Sequence, residues 1–400
     1  MSPAGGLSER LNAPISTREL ERRWAVVREA MADAGLDVLV MQNNSAALGG
    51  YVRWFTDVPA YDYPISVAFP REAPMTVVMH GPPGERELPP EGDGVFRGVQ
   101  RVIATASFPS VHYTRTYDAE LLARALEPFA HASIGLLGTH QLGYGTGSYL
   151  VERYPDALIN EASDLVDGIK AIKSEEEQDL IRAAATLQDA VMQTALEAIE
   201  PGKRESEITA LARHAAQERG SEAGFLLCGA GPIGEPTRIA RVHHQNRMIR
   251  EGDVLSLLIE VDGPGGLYTE LGRTCTVGPA PARVKEELEF TLEAQRFTVD
   301  RLRPGAPCRE VFEAYNEFMR EHGRPEEQRI HAHGQGYDLV ERPLIRIDET
   351  MTIQAGMNFT CHPTYQIDGF QSWICDNWLI GPDGPGERLH RFPQKIVERV

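Results

Sequence analysis

Positive charge is what this 400-residue chain lacks most: 40 lysines and arginines stand against 58 acidic residues, a formal net charge of −18. A nucleic-acid partner needs basic patches to neutralise phosphates, so that function class is excluded as an expectation. Cysteine is also scarce. The five present (Cys228, Cys275, Cys308, Cys361, Cys375) are an odd number with no C-x-x-C spacing, so they predict no disulfide framework and point to a reducing, cytoplasmic setting. No apolar run approaches membrane-spanning length, and the first residues, MSPAGGLSERLNAP, are polar, so neither a membrane anchor nor a signal peptide is expected. Apolar content of 42% and charged content of 24% fit a globular enzyme-sized chain, and the length predicts two domains.

The most informative stretch is 253–278, DVLSLLIEVDGPGGLYTELGRTCTVG. An apolar run, 254–259, predicts a buried strand, and 274–277 a second. Glu260, Asp262 and Glu270 lie between them around a Gly-Pro-Gly-Gly turn. Carboxylates gathered on two strands can build a metal or acid/base site; an exposed acidic hairpin is the plain alternative.

Before this stretch the chain alternates. Ser16 or Thr17 starts a helix with Leu20, Trp24, Val27 and Met31 at helical spacing, closed by Gly35. Strands follow at 37–41, 65–69, 75–79, around VQRVIATA and at 133–138, with a helix at 118–128, which predicts an α/β domain over residues 1–160. From about Asp164 the texture becomes long and helical. An internal echo then appears: PGKRESEITALARHAAQERG (201–220) and PGAPCREVFEAYNEFMREHG (304–323), each preceded by another helix and followed by β-like segments. Two such halves suggest a pseudo-symmetric domain over 161–400 with one site between them. Gly229, Gly231 and Gly234 form a G-x-G-x-x-G after a strand-like run, but no helix pattern follows. They read as a glycine-rich loop at a pocket edge rather than a dinucleotide fingerprint.

KSEEEQDLIRAA, EPGKRESEI, REGDVLSLLIE…YTELGRTCTVG, HAHGQG and AGMNFTCHP, in that order, resemble the creatinase/aminopeptidase P/methionine aminopeptidase superfamily. The resemblance implies an α/β N-terminal creatinase-like domain plus an α+β pseudo-two-fold pita-bread C-terminal domain. It also implies a homodimer in which Arg53 and Trp54 are candidates for reaching the partner's pocket. Peptidases of the superfamily bind two metals through Asp, Asp, His, Glu and Glu. The matching positions here are Leu258 or Ile259, Glu270, His333, His362 and Cys375, so most of that ligand set is lost. The remainder (Glu270, His333, His362, Cys375) could hold a single transition metal such as Zn, Fe or Mn. The resemblance to creatinase favours no metal, with His243 or its neighbour His244 as proton shuttle beside Glu270 and His333. Val340 stands where the peptidases carry a second histidine. His362 and Arg342 are candidate substrate contacts, Arg346 a second arginine of that kind, and Cys375 or Cys361 an alternative nucleophile. The expected function is therefore creatinase-like hydrolysis of a C–N bond in a small nitrogenous compound. A mononuclear metal hydrolase or lyase (C–S cleavage or Xaa-Pro peptidase action included) and a non-catalytic binding protein are the alternatives.

Overall fold

Ser16 starts the first helix as its spacing predicts: its hydroxyl accepts the Glu19 amide at 3.1 Å, and Gly35 ends the turn with φ +67°. The computed structural model describes residues 11–48, 50–90, 92–235, 239 and 242–399. The chain divides into two compact units, 1–170 and 171–400.

The first unit holds helices α1 (Thr17–Asp33), α2 (Gly50–Thr56), α3 (Tyr117–Leu126), α4 (Tyr144–Arg153) and α5 (Ser163–Lys170). Its strands are β1 (Val38–Asn43), β2 (Ile65–Pro70), β3 (Met75–His80), β4 (Gly84–Glu87), β5 (Val99–Thr105), β6 (Ser133–Leu137) and β7 (Leu158–Glu161). They form one mixed sheet in the order β4-β5-β3-β2-β1-β6-β7. Val38, Val40, Ile103, Leu122 and Ile134 fill the core between sheet and helices. The helical texture from Asp164 is not one helix. α5 ends at Lys170, and a new helix starts behind Ser174, whose side chain makes a capping box with Glu177. The contact division follows α5, so it falls after residue 170 rather than at about 160.

The second unit holds α6 (Glu175–Glu197), α7 (Glu205–Glu218), α8 (Ala282–Val299) and α9 (Cys308–Glu321). The two echoed segments are thus α7 and α9, each preceded by a long helix. Strands β8 (Gly224–Pro232), β9 (Asp253–Val261), β10 (Leu271–Val277) and β18 (Val397–Arg399) form one sheet in the order β18-β10-β9-β8. Strands β11 (Ala332–Gly334), β12 (Glu341–Leu344), β13 (Asn358–Cys361), β16 (Asp376–Gly381) and β17 (Gly384–Arg388) form a second, ordered β12-β11-β13-β16-β17. β14 (Thr364–Ile367) and β15 (Phe370–Trp373) make a separate hairpin. One core packs Val191, Ile208, Leu257 and Ile259 on the first sheet, and another packs Leu302, Phe312, Phe359 and Ile380 on the second. No helix among the described residues is long and apolar enough to cross a membrane.

Candidate active site

β9 and β10 are antiparallel, with Leu271 opposite Ile259 and Gly272 opposite Leu258. Alternation along β9 sends Ile259 into the helix-facing core and Leu258 and Glu260 to the other face. That face lines a cavity of about 570 Å³, shared with Glu270, His333, His362 and Trp373. Trp373 crosses the hairpin tightly. A Cβ on Gly272 would meet its ring at 2.2 Å, so only glycine admits that wall.

Glu260, which lies past the position matched to the peptidases' first ligand, is the second buried carboxyl of the cavity. Burial, and then the charge of Glu270, push its carboxyl well above the usual range. Gln335 donates to its Oε1 at 3.1 Å and is itself held by Asn377 at 2.9 Å. Glu270 is pushed up to about 7 by burial, against hydrogen bonds from Cys375 and Thr360. Ionising either carboxyl opposes ionising the other, so the two titrate as a pair.

His333 and His362 are buried beside them, ring centroids 5.2 Å apart. Burial drives His333 down to about 4 and His362 well below its usual range, so both are neutral at pH 7. His333 Nδ1 lies 2.9 Å from the Gly334 carbonyl, which only accepts, so Nδ1 carries the proton. Nε2 therefore presents a lone pair, 3.7 Å from Glu270 Oε2. Two electron-rich atoms face each other there, and a proton or a cation between them removes the conflict.

The donor atoms of Glu270, His333 and His362 lie within 4.8 Å of one another. Two neutral imidazoles and one carboxylate suit a single divalent transition metal. They do not suit two: Ile259 is in the core, and Asp262 accepts from Ser221, Glu222 and Ala223 at the hairpin's end.

Cys375, expected as a fourth ligand or a nucleophile, lies outside that donor group. Its Sγ is 3.1 Å from Thr360 Oγ1 and 3.4 Å from the Glu270 carbonyl, and burial holds its thiol well above the usual range. A thiol held protonated in this way does not attack. Burial likewise pushes Cys275 and Cys308 up to about 12 and raises Cys228 and Cys361. Native protein should therefore take up no iodoacetamide over hours by intact mass, while denatured protein labels at all five cysteines.

Other expected site residues fall elsewhere. His243 and His244 are exposed on a 3-10 turn, Val242–His244, with rings 4.1 Å apart, and neither is among the described residues lining the cavity. Parts of the preceding loop, including Arg238 and Arg241, lie outside the described residues. Arg342 is bound to Glu349 at 2.6 Å and Arg346 to Asp348 at 2.8 Å, and neither is among the described residues lining the cavity. Arg53 and Trp54 are buried in their own unit, Trp54 under the Arg23 guanidinium, so neither projects outward as reaching a partner requires. Gly229 and Gly231 belong to strand β8, and no α-helix starts between it and β9 among the described residues. Arg329 is a cavity residue that sequence reasoning passed over, after Glu260, which it noted on the hairpin but matched to no ligand position. Period-2 alternation from Leu258 could have placed Glu260; nothing in the sequence marks Arg329.

The two helix-backed sheets around one buried polar cavity define a pita-bread-type α/β protein. The sequence pattern of metallopeptidase family M24 matches residues 179–382, and the chain belongs to that family. A probable dipeptidase PepE of Mycobacterium tuberculosis is 29% identical over 241 residues, 59% of this chain. The match spans 63% of that relative's length. Ectoine hydrolase of Halomonas elongata is 23% identical over 409 residues, covering 96% of this chain and 98% of its own. The crystal structure of dipeptidase PepE from Mycobacterium ulcerans superposes with a TM-score of 0.77 at 22% identity, covering 96% and 99% of the two chains, and shows the shared fold.

Proposed function

We propose that this chain is a hydrolase that cleaves a C–N bond of a small nitrogenous compound, using Glu270 and His333 as an acid and base pair. The observation that carries this is the lone pair of His333 Nε2 facing Glu270 Oε2 at 3.7 Å inside the cavity. A carboxyl pushed up to about 7 is poised to give a proton near neutral pH, and the neutral imidazole, its basicity weakened by burial, offers Nε2 to a proton released as water attacks. His333 would accept a proton from the attacking water as its oxygen bonds to carbon. Glu270 would give one to the leaving nitrogen as the C–N bond breaks. Glu260, on the same cavity face, supplies the second carboxyl. The acid/base part first expected of His243 passes in this reading to the buried pair.

Both kinds of relative carry hydrolase names, one a dipeptidase and one acting on ectoine. The smaller non-peptide substrate is favoured by Val340, which lines the cavity where the peptidases are expected to carry a histidine. The test is turnover of a panel of small amides and amidines alongside Xaa-Pro dipeptides; dipeptides as the only substrates would sink the small-molecule reading.

The compact Glu270, His333 and His362 group favours a second reading, in which those three hold one metal ion that supplies Lewis-acid chemistry. Under the first reading, turnover survives dialysis against a chelator, and elemental analysis finds well under one transition metal per chain. Loss of turnover on chelation, restored by about one equivalent of Zn²⁺ or Mn²⁺, would replace it with the second.

A further inference from the structure

We propose that Arg329 binds a carboxylate of the substrate, which makes the cavity selective for small nitrogenous compounds carrying one negative charge. The inference rests on the hydrolase reading above and names its substrate class.

Among the described residues lining the cavity, Arg329 is the only arginine or lysine. Its guanidinium makes no hydrogen bond or ion pair to any described residue; only its backbone does, through its amide to Glu327 and its carbonyl to Arg346. The nearest acidic side chain in sequence cannot neutralise it well. Glu327 Oε1 is turned onto the amides of Arg329 and Ile330, at 2.6 and 3.0 Å. The two arginines first considered for this part are both occupied, Arg342 by Glu349 and Arg346 by Asp348. Arg329 is also close enough for its charge to act on Glu260, Glu270, His333 and His362 alike. A free planar fork at the rim, within Coulomb reach of the reacting groups, is suited to a carboxylate held in two parallel hydrogen bonds.

The charge balance sets the class more narrowly. Arg329 shares the lining with Glu327 and with the buried Glu260 and Glu270, whose carboxyls are driven towards their neutral forms. One cation can offset one negative charge there. A doubly charged phosphate keeps an unbalanced charge beside the glutamates, so a monoanionic carboxylate is preferred. Binding there would leave the amide or amidine end of a short molecule to reach the Glu270 and His333 pair.

The test uses the full-length protein and two probes of equal size, N-acetylglycine and its uncharged counterpart N-acetylglycinamide, titrated calorimetrically. Wild type should bind the acid at least about tenfold more tightly than the amide, the scale of a charge-assisted hydrogen bond in a partly open site. Arg329→Gln should remove that preference, Arg329→Lys should keep part of it, and Arg342→Gln should leave it unchanged. An exposed side chain without a hydrogen bond or ion pair to any described residue should be replaceable without loss of fold. Equal binding of the two probes by wild type, or an undiminished preference in Arg329→Gln, overturns the proposal. Hydrolysis of both probes is followed in parallel. An Arg329-dependent acid preference without hydrolysis counts against the hydrolase reading and leaves the anchor standing. Hydrolysis at equal rates for acid and amide in both proteins leaves the hydrolase and removes the anchor.

Discussion

Glu270→Gln is expected to abolish turnover, by about 10³-fold or more as for loss of a positioned proton donor, while making the protein more stable above neutral pH. The two effects have one cause. Burial moves the Glu270 carboxyl from its ordinary 4.5 up to about 7. The native state therefore binds a proton between those values that the unfolded chain has already lost. That stabilising contribution is full below about 4.5 and is lost as pH rises through about 7. Ionising the buried group then costs about 3 kcal/mol. Glutamine never ionises, so the variant should melt about 5 to 10 °C higher than wild type at pH 8.5. The gap should close towards pH 5. Melting curves at the two pH values, with turnover at neutral pH, check both halves. A variant that loses activity but shows no pH-dependent gain in stability would mean that Glu270 is ionised in the native protein at neutral pH. That would remove it as the proton donor.

A destabilising carboxyl is kept where it is useful. The cavity holds two buried carboxyls and two buried imidazoles with few protein partners of their own, and each is driven towards its neutral form. Groups held this way favour a site over a packed core, because a purely structural cluster would gain by becoming apolar. Glu260→Gln should show the same gain in stability at high pH, because burial and then the charge of Glu270 push that carboxyl well above its usual range despite the hydrogen bond from Gln335.

Much of the fold was readable because it is written in short-range patterns. The echo of 201–220 in 304–323 becomes α7 and α9, and Val254 to Ile259 lies within the buried strand β9. His333 and His362 were readable from the motifs around them. What failed was register and loop geometry. Matching the family's ligand to Leu258 or Ile259 left Glu260 aside, although its alternation with Leu258 places both on the cavity face. Asp262 shares that alternation, yet it lies just past the strand, where the Glu222 and Ala223 amides claim one oxygen at 2.8 Å each. Residue type alone could not separate these two acids. His243 and Arg329 show the same limit on loops: one looked catalytic and is exposed, the other carried no signal and lines the cavity. Loop side chains follow tertiary packing that no local pattern records.

Asp376→Ala is expected to cost about 3 to 5 kcal/mol, the scale of a broken buried ion pair, and activity should fall with stability. In the sequence, Asp376 sits beside Cys375, the position of the peptidases' last ligand, and invites substitution for it. The strand forbids this. Cys375 turns its sulfur to Thr360 and Glu270, so the next residue points to the opposite face. There Asp376, fully buried, takes both ends of the Arg273 guanidinium at 2.7 and 3.2 Å, with Arg388 at 3.2 Å and Gln394 at 3.0 Å. Arg273 also donates to the carbonyls of Gly272, Cys375, Phe392 and Pro393, tying the hairpin to the second sheet and the C-terminal segment. Removing Asp376 strands a buried cation among these contacts. Arg273→Met with Asp376→Leu should therefore cost less than the sum of the two single changes in urea unfolding. Additive costs would show that the pair does not act as a unit. With Asp376 committed to holding the two sheets together, the only other carboxyls among the described residues that can serve the Glu270 face are those already lining the cavity, and of these Glu260 is the buried one.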